Sequence, residues 1–159
     1  MTKTITMAAA TAGHAEGGTT LNAFDNALLA AGIGNINLIK VSSIVPPDVA
    51  IIDLPKIKPG AIVPTAYAAM TSETPGETVA AAVGYAITDD PAKNGVIMEF
   101  HGIADRAHAE RQIRLMLEEA FRIRGEEIHE MKIFSVEHTV QRIGCALAAM
   151  TLLAEDDLV

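Results

Sequence analysis

Two adjacent hydroxyls, Ser42 and Ser43, stand near the end of an otherwise apolar, β-branched run, immediately before Ile44-Val45-Pro46-Pro47. Serine pairs are ordinarily turn residues or surface strand positions, so this placement is an anomaly. A second is Glu99, flanked by Ile97, Met98 and Phe100. A carboxyl among apolar neighbours has its pKa raised and can donate a proton near neutral pH, although strand alternation by itself favours turning Glu99 to solvent. The five histidines, His14, His101, His108, His129 and His138, lack the two-on-one-face spacing of a zinc helix. The single cysteine, Cys145, can complete neither a disulfide nor a thiolate site, and its apolar run reads as buried. No metal centre is expected. Gly32-Ile33-Gly34 is too short for a dinucleotide fingerprint and follows a helix where that motif must follow a strand.

The elements that must position these residues can be read from periodicity. Thr4 to Ala10 reads as a strand leading into a loop over Gly13 to Thr19. Leu21, Phe24, Leu28 and Ala31 then recur on one helical stripe, with Thr19 or Thr20 as cap and Gly32 as stop. Ile36 to Val45 alternates as one strand that ends at the prolines. A loop follows over Asp48 to Gly60, and strands are expected over Ala61 to Thr71, Thr78 to Thr88 and Gly95 to His101. One long helix spans Ala104 to Arg124, with Ile113, Met116, Leu117, Ala120 and Phe121 on its stripe and Gly125 as its stop. Met131 to Glu137 and Gly144 to Leu153 complete the strands, before a frayed acidic tail. Strands outnumber helices without a βαβ rhythm, which predicts an α+β fold with helices on sheet faces.

At 159 residues the chain is expected to form a single domain, 1–159. Its formal charge of -8 disfavours nucleic acid as a partner. The longest apolar stretch, Gly144 to Ala154, is about half of the roughly 20 residues that cross a bilayer. No secretory signal opens the chain, so a cytoplasmic location is expected.

Four segments carry a resemblance. LNAFDNALLAAGIGNINLIKVSSIVPP (21–47), PKIKPGAIVPTAYAAMTSETPGETVAAAV (55–83), GVIMEFHG (95–102) and VEHTVQRIGCALAAM (136–150) resemble, in order and spacing, the pyruvoyl-dependent arginine decarboxylases. Nearly the whole chain is covered; the N-terminal dozen residues and the tail after Met150 contribute least.

The resemblance implies that the Ser43 hydroxyl attacks the Ser42 carbonyl, turning the peptide into an ester. Elimination and hydrolysis then leave a pyruvoyl cofactor at position 43 and separate residues 1–42 from residues 43–159. Such an acyl shift needs strain, and a strand end before two prolines is a place to store it. The ketone then takes up the α-amine of the substrate and draws the electrons released with carbon dioxide, so no external cofactor is needed. Further implied are Asn37 as the amide that steadies the cleavage oxyanion, Glu99 as the acid that returns a proton to the substrate Cα, and Asp25 as the carboxylate facing a guanidinium. Leu28 and Ile44 would line the substrate's aliphatic stem, with backbone around Gly34 and Ile36 completing the pocket. Taken singly, Asn37 reads as a polar strand residue, Asp25 as a solvated helix residue, and Leu28 and Ile44 as core. The family likeness implies L-arginine as substrate, agmatine and carbon dioxide as products, a four-layer αββα sandwich, and a homotrimer with sites between protomers. Two alternatives stay open: a pyruvoyl enzyme for another amino acid such as histidine, and an unprocessed trimeric paralogue without the ketone.

Overall fold

In the computed structural model, which describes residues 3–159, two helices cover the outer faces of two stacked sheets. The five-stranded sheet has the order β2 (Asn37–Lys40), β5 (Ile62–Ser72), β9 (Gly144–Leu153), β1 (Met7–Glu16), β4 (Ala50–Ile51). The four-stranded sheet has the order β3 (Ile44–Val45), β7 (Gly95–Ile103), β6 (Thr78–Ile87), β8 (Glu130–Thr139). Helix α1 (Thr20–Ala30) packs on the first sheet and α2 (Arg106–Arg124) on the second. This is the expected αββα arrangement of an α+β fold.

Period-two alternation sorts the strand residues into three buried layers. Between the sheets lie Ala8, Ala66, Val83, Tyr85, Ile97 and Met150 with their neighbours. Under α1 lie Val63, Cys145, Leu147 and Ala149 against Ala23, Ala27 and Leu28. Under α2 lie Ala80, Ala82 and Val96 against Ile113, Leu117 and Phe121. All ten residues of β9 are buried because both of its faces are covered, which is why it reads as a continuous apolar run.

Both helices stop as the sequence predicts. Gly32 adopts φ 82° and Gly125 φ 69°, and in each case the following N–H returns to a carbonyl of the last turn, Ile33 to Leu28 and Glu126 to Phe121. The α1 stripe is shifted from the expected one: Ala23, Ala27, Leu28 and Ala31 are buried while Leu21 is 74% exposed, because the sheet selects the alanine face that can approach it closely.

Four expectations are corrected. The Gly13 to Thr19 segment is not a loop from its start; β1 runs on through Gly13, His14 and Ala15 to Glu16. Gly13 is there for close approach, since a Cβ would lie 2.6 Å from Ala31 N and 2.7 Å from Ala27 O of α1. The expected loop over Asp48 to Gly60 contains β4, which pairs parallel to β1. The acidic tail is not frayed: Glu155–Asp157 is a 3-10 turn in which Asp157 is buried, meeting Lys3 Nζ at 2.5 Å and accepting from the Ala154 N–H at 2.9 Å. Finally, Ile36 to Val45 is not one strand. It is β2 in one sheet and β3 in the other, with the chain crossing between them at Val41-Ser42-Ser43. Local alternation cannot register that crossing, since both pieces are extended and β-branched.

Candidate active site

The crossing between sheets sets the geometry of the serine pair. On one side the Val41 N–H donates to the Thr65 carbonyl at 3.1 Å, the last bond of β2 to β5; on the other the Ser43 carbonyl accepts from the Ile97 N–H at 2.7 Å, the first bond of β3 to β7. Between these anchors the Ser42–Ser43 peptide makes no backbone hydrogen bond among the described residues. Ser42 is exposed and Ser43 half-buried. The peptide is therefore pinned at both ends and free in the middle, so its carbonyl can change geometry without breaking a ladder.

Glu99 lies on the same strand as Ile97. Ile44 pairs with Val96 and Val45 with Gly95, so the register places Ser43 opposite Ile97, and directly opposed residues share a sheet face. Ser43, Ile97 and Glu99 thus line one face, with Glu99 about 7 Å further along β7 at the usual rise per residue. That face looks toward the other sheet: Ile97 and Val83, the cross-strand partner of Glu99, belong to the inter-sheet core. Met98 and Phe100 point the other way, toward α2. The apolar neighbourhood of Glu99 thus comes from Ile97, two residues back on its own strand, and from Val83 opposite it on β6, while Met98 and Phe100 face α2. Burial pushes the Glu99 carboxyl above its ordinary value of 4.5, and the Lys40 ammonium draws it part of the way back.

Sequence reasoning passed over Lys40. It ends β2, and its Nζ sits 4.8 Å from the centroid of the Tyr67 ring, a cation–π anchor. The available signal was a single charge in the run between Asn37 and the serine pair.

The remaining predicted residues gather elsewhere. Asp25 is on the solvent face of α1, on the outer side of the five-stranded sheet. Leu28 is buried in the layer beneath α1. Gly34 packs against Leu29, where a Cβ would lie 2.5 Å from a side-chain carbon. Ile36 is half-buried against the α1 layer. Asn37 opens β2 and donates from Nδ2 to the Gly60 carbonyl at 3.3 Å, about 13 Å of strand from Val41. The single chain thus forms two separate groups: Ser43, Ile44 and Glu99 at the sheet crossing, and Asp25, Leu28, Gly34, Ile36 and Asn37 around the end of α1 and the start of β2. It does not bring Asn37 or Asp25 to the Ser42–Ser43 peptide.

A cavity of about 620 Å³ opens beyond Val45 and Gly95, lined also by Tyr85, Asp89, His129 and Glu130. None of the predicted residues lines it, so that space does not unite the two groups. At the crossing, by contrast, Ile44 (37%) is exposed, and so, further back along the β2–β5 pair, are Ile39 (53%) and Ile62 (53%). Ile39 and Ile62 share a face of the β2–β5 pair, because Ile62 is opposite Asn37.

The family model described as pyruvoyl-dependent arginine decarboxylase matches residues 7–157. A protein of that name from Methanocaldococcus jannaschii is 50% identical over 141 residues, covering 89% of this chain and 86% of the relative. Its namesake from Pyrococcus horikoshii is 45% identical over 153 residues, covering 95% and 94%. Among solved structures, a pyruvoyl-dependent histidine decarboxylase at pH 8 aligns with a TM-score of 0.53 at 16% identity, over 63% of this chain and 54% of that one. At that identity the likeness is one of fold.

Proposed function

The chain belongs to the pyruvoyl-dependent arginine decarboxylase family, and from that premise we propose that it converts L-arginine to agmatine and carbon dioxide with a pyruvoyl group made from its own Ser43. The observation that carries this reading is the Ser42–Ser43 peptide, pinned at both ends, outside either ladder, and sharing a face with a carboxyl of raised pKa. Ser43 Oγ attacks the Ser42 carbonyl carbon, the C–N bond breaks, and the nitrogen takes the proton. Loss of the Cα proton then expels the Ser42 carboxylate from Cβ, and water replaces the nitrogen as ammonia. These steps need no reagent beyond water.

The residues at the crossing fit the group that results. Its chemical contribution is a sink for the electrons released with carbon dioxide. Glu99, half-buried and easily protonated, supplies the proton that the substrate Cα takes up. Ile44, two-fifths exposed beside Ser43, covers the aliphatic stem and excludes water. Histidine as substrate finds less support than arginine, since the histidine enzyme shares fold at 16% identity while relatives named for arginine reach 45–50%.

The separation of the two residue groups supports an assembly in which Asp25, Gly34, Ile36 and Asn37 of one copy meet Ser43 and Glu99 of the next. A closed ring uses each group once per copy, and a homotrimer is the ring we propose. Exposed Ile39, Ile62 and Ile44 would be covered in it. Asp25 would then hold the substrate guanidinium through paired charge-assisted hydrogen bonds. Among the described residues no helix is long and apolar enough to cross a membrane, and the free Cys145 is buried; both are consistent with work in the cytoplasm.

Intact mass of the purified, denatured protein tests the reading. Fragments spanning residues 1–42 and 43–159, the second lighter by one ammonia than its serine form, are expected. A chain that stays whole on prolonged incubation would leave the enzyme without its cofactor. Asp25→Ala should cleave normally while KM for arginine rises roughly 10–150-fold, the equivalent of about 1.5–3 kcal/mol for hydrogen bonds to a charged group. An unchanged KM in steady-state assays would remove Asp25 from the pocket.

A further inference from the structure

At the edge of the four-stranded sheet opposite β3, side chains from both sheets form a continuous chain of contacts. Glu16, the last residue of β1, is held by the turn between β8 and β9: its Oε1 accepts from the backbone N–H of Arg142 at 2.8 Å and Ile143 at 3.2 Å, and its Oε2 from Gln141 at 3.3 Å. The same Oε2 meets His138 Nε2 at 2.5 Å, and the Glu16 carbonyl accepts from Asn26 Nδ2 of α1 at 3.0 Å. The other ring nitrogen of His138, Nδ1, faces His14 Nδ1 head-on at 2.9 Å, with the ring centroids 5.1 Å apart. His138 lies on β8 and its side chain is only 11% exposed, while His14 on β1 is open to solvent. Gly144 shows that the arrangement is tightly fitted, since a Cβ there would lie 2.4 Å from His138 Cδ2 and 2.5 Å from Glu16 Oε2.

Two imidazole nitrogens in this position form a ring-to-ring hydrogen bond, which requires one proton between them and no more. Glu16 settles which ring holds what. Burial opposes its charge, but the hydrogen bonds from His138 and from the turn amides prevail and bring its carboxyl down to about 2. It therefore stays an acceptor and keeps a proton on His138 Nε2. His138 Nδ1 then offers its lone pair, and His14 Nδ1–H donates to it. A proton added at His14 Nε2, the ring's other nitrogen, leaves that bond in place and makes it charge-assisted. The next proton goes to His138 Nδ1, turns both facing atoms into donors and sets two cations against each other. We propose that His14 and His138 are an acid-released clip: sharing one Nδ1 proton they tie β1 of one sheet to β8 of the other, and when both rings are charged the tie opens. The charged or titratable side chains on the surrounding elements are Glu16 on β1, Arg142 in the β8–β9 turn, Glu77 in the β5–β6 turn, which accepts from Ser72 Oγ at 2.6 Å, and His101 on β7, two strands from β8. Opposite the two rings, β6 and β9 present only Val79 and Ala146. The two histidines are 124 residues apart in the chain, and only the stacking of the sheets brings them together. The clip does not rest on the decarboxylase reading: β8 and β3 are at opposite edges of their sheet.

Thermal melting of the self-processed protein from about pH 8 to about pH 5, across the ordinary histidine range, tests the clip. At about pH 7.5 His14→Ala should melt about 1–6 °C below the parent, the equivalent of one net hydrogen bond in a chain of this size. Near pH 5 that deficit should vanish or reverse: the folded parent resists the second proton while its unfolded chain accepts it, so the parent loses stability as pH falls, and alanine has no second cation to contribute. In His14→Asn the amide can donate to His138 Nδ1, or accept from it once it is protonated, without taking up a proton itself. This variant should match the parent at about pH 7.5 and melt above it near pH 5. In protein with isotopically labelled imidazoles, scalar coupling between the two Nδ1 nuclei is expected at about pH 7.5 and should be lost near pH 5. Melting points of parent and His14→Ala that fall in parallel with pH, or a coupling that persists in acid, overturn the proposal.

Discussion

Ser43→Ala yields one uncut chain and no arginine decarboxylation above background. The hydroxyl is the only group that can open the Ser42–Ser43 peptide by an acyl shift, and without it neither the elimination nor the ketone follows. Because the ketone is the electron sink, its loss removes the principal rate advantage, which for enzymes lies between about 10⁶- and 10¹⁷-fold. The fold should survive: Ser43 is half-buried, and its structural contact is a backbone bond from Ile97 to its carbonyl, which alanine keeps. The check is intact mass together with circular dichroism. A native-like Ser43→Ala protein that still split between residues 42 and 43 would show that another nucleophile acts.

For Glu99→Gln the outcome is the opposite in its first half. Cleavage proceeds, because the acyl shift uses the Ser43 hydroxyl and the Ser42 carbonyl, while turnover of arginine falls by roughly 10²–10⁴-fold, the usual contribution of a positioned acid. Normal turnover would end the assignment. The same substitution has a stability signature. Burial raises the Glu99 carboxyl above its ordinary 4.5, with Lys40 opposing, so the folded chain binds this proton more readily than the unfolded one. As pH rises from 4.5 through the folded value, keeping the charged carboxylate at the sheet crossing costs stability. Glutamine carries no such cost. Glu99→Gln should therefore melt at a higher temperature than the parent at about pH 7, and the gap should close as pH falls below 4.5. A gap that persisted in acid would point to packing instead of charge.

Most of the architecture was legible locally. The long helix, its Gly125 stop, and strands β5, β6, β7, β8 and β9 follow from alternation and from the 3.6-residue stripe, because each buries one or both faces against a regular neighbour. What was not legible depends on partners distant in sequence. Gly13 reads as a turn residue, yet it marks where α1 lies against β1. Asp157 reads as a solvated tail carboxylate, yet Lys3, from the other end of the chain, pairs with it. The serine pair was visible as an anomaly in an apolar run and, through family likeness, as a cleavage site. Glu99 was visible as a carboxyl among apolar residues, but only the register between β3 and β7 puts it on the face of Ser43.

By itself the sequence determined the α+β class, the helix limits and the serine pair, because those depend on residue type and short-range spacing; the chemistry of the pair came only with the family likeness. The tertiary structure alone decided that the run from Ile36 to Val45 divides between two sheets, that the predicted site residues form two groups on one chain, and that His14 meets His138. The physical reason is the same in each case: which strands pair, and which sheet faces meet, is set by long-range packing of several elements at once, and no window of neighbouring residues contains that information.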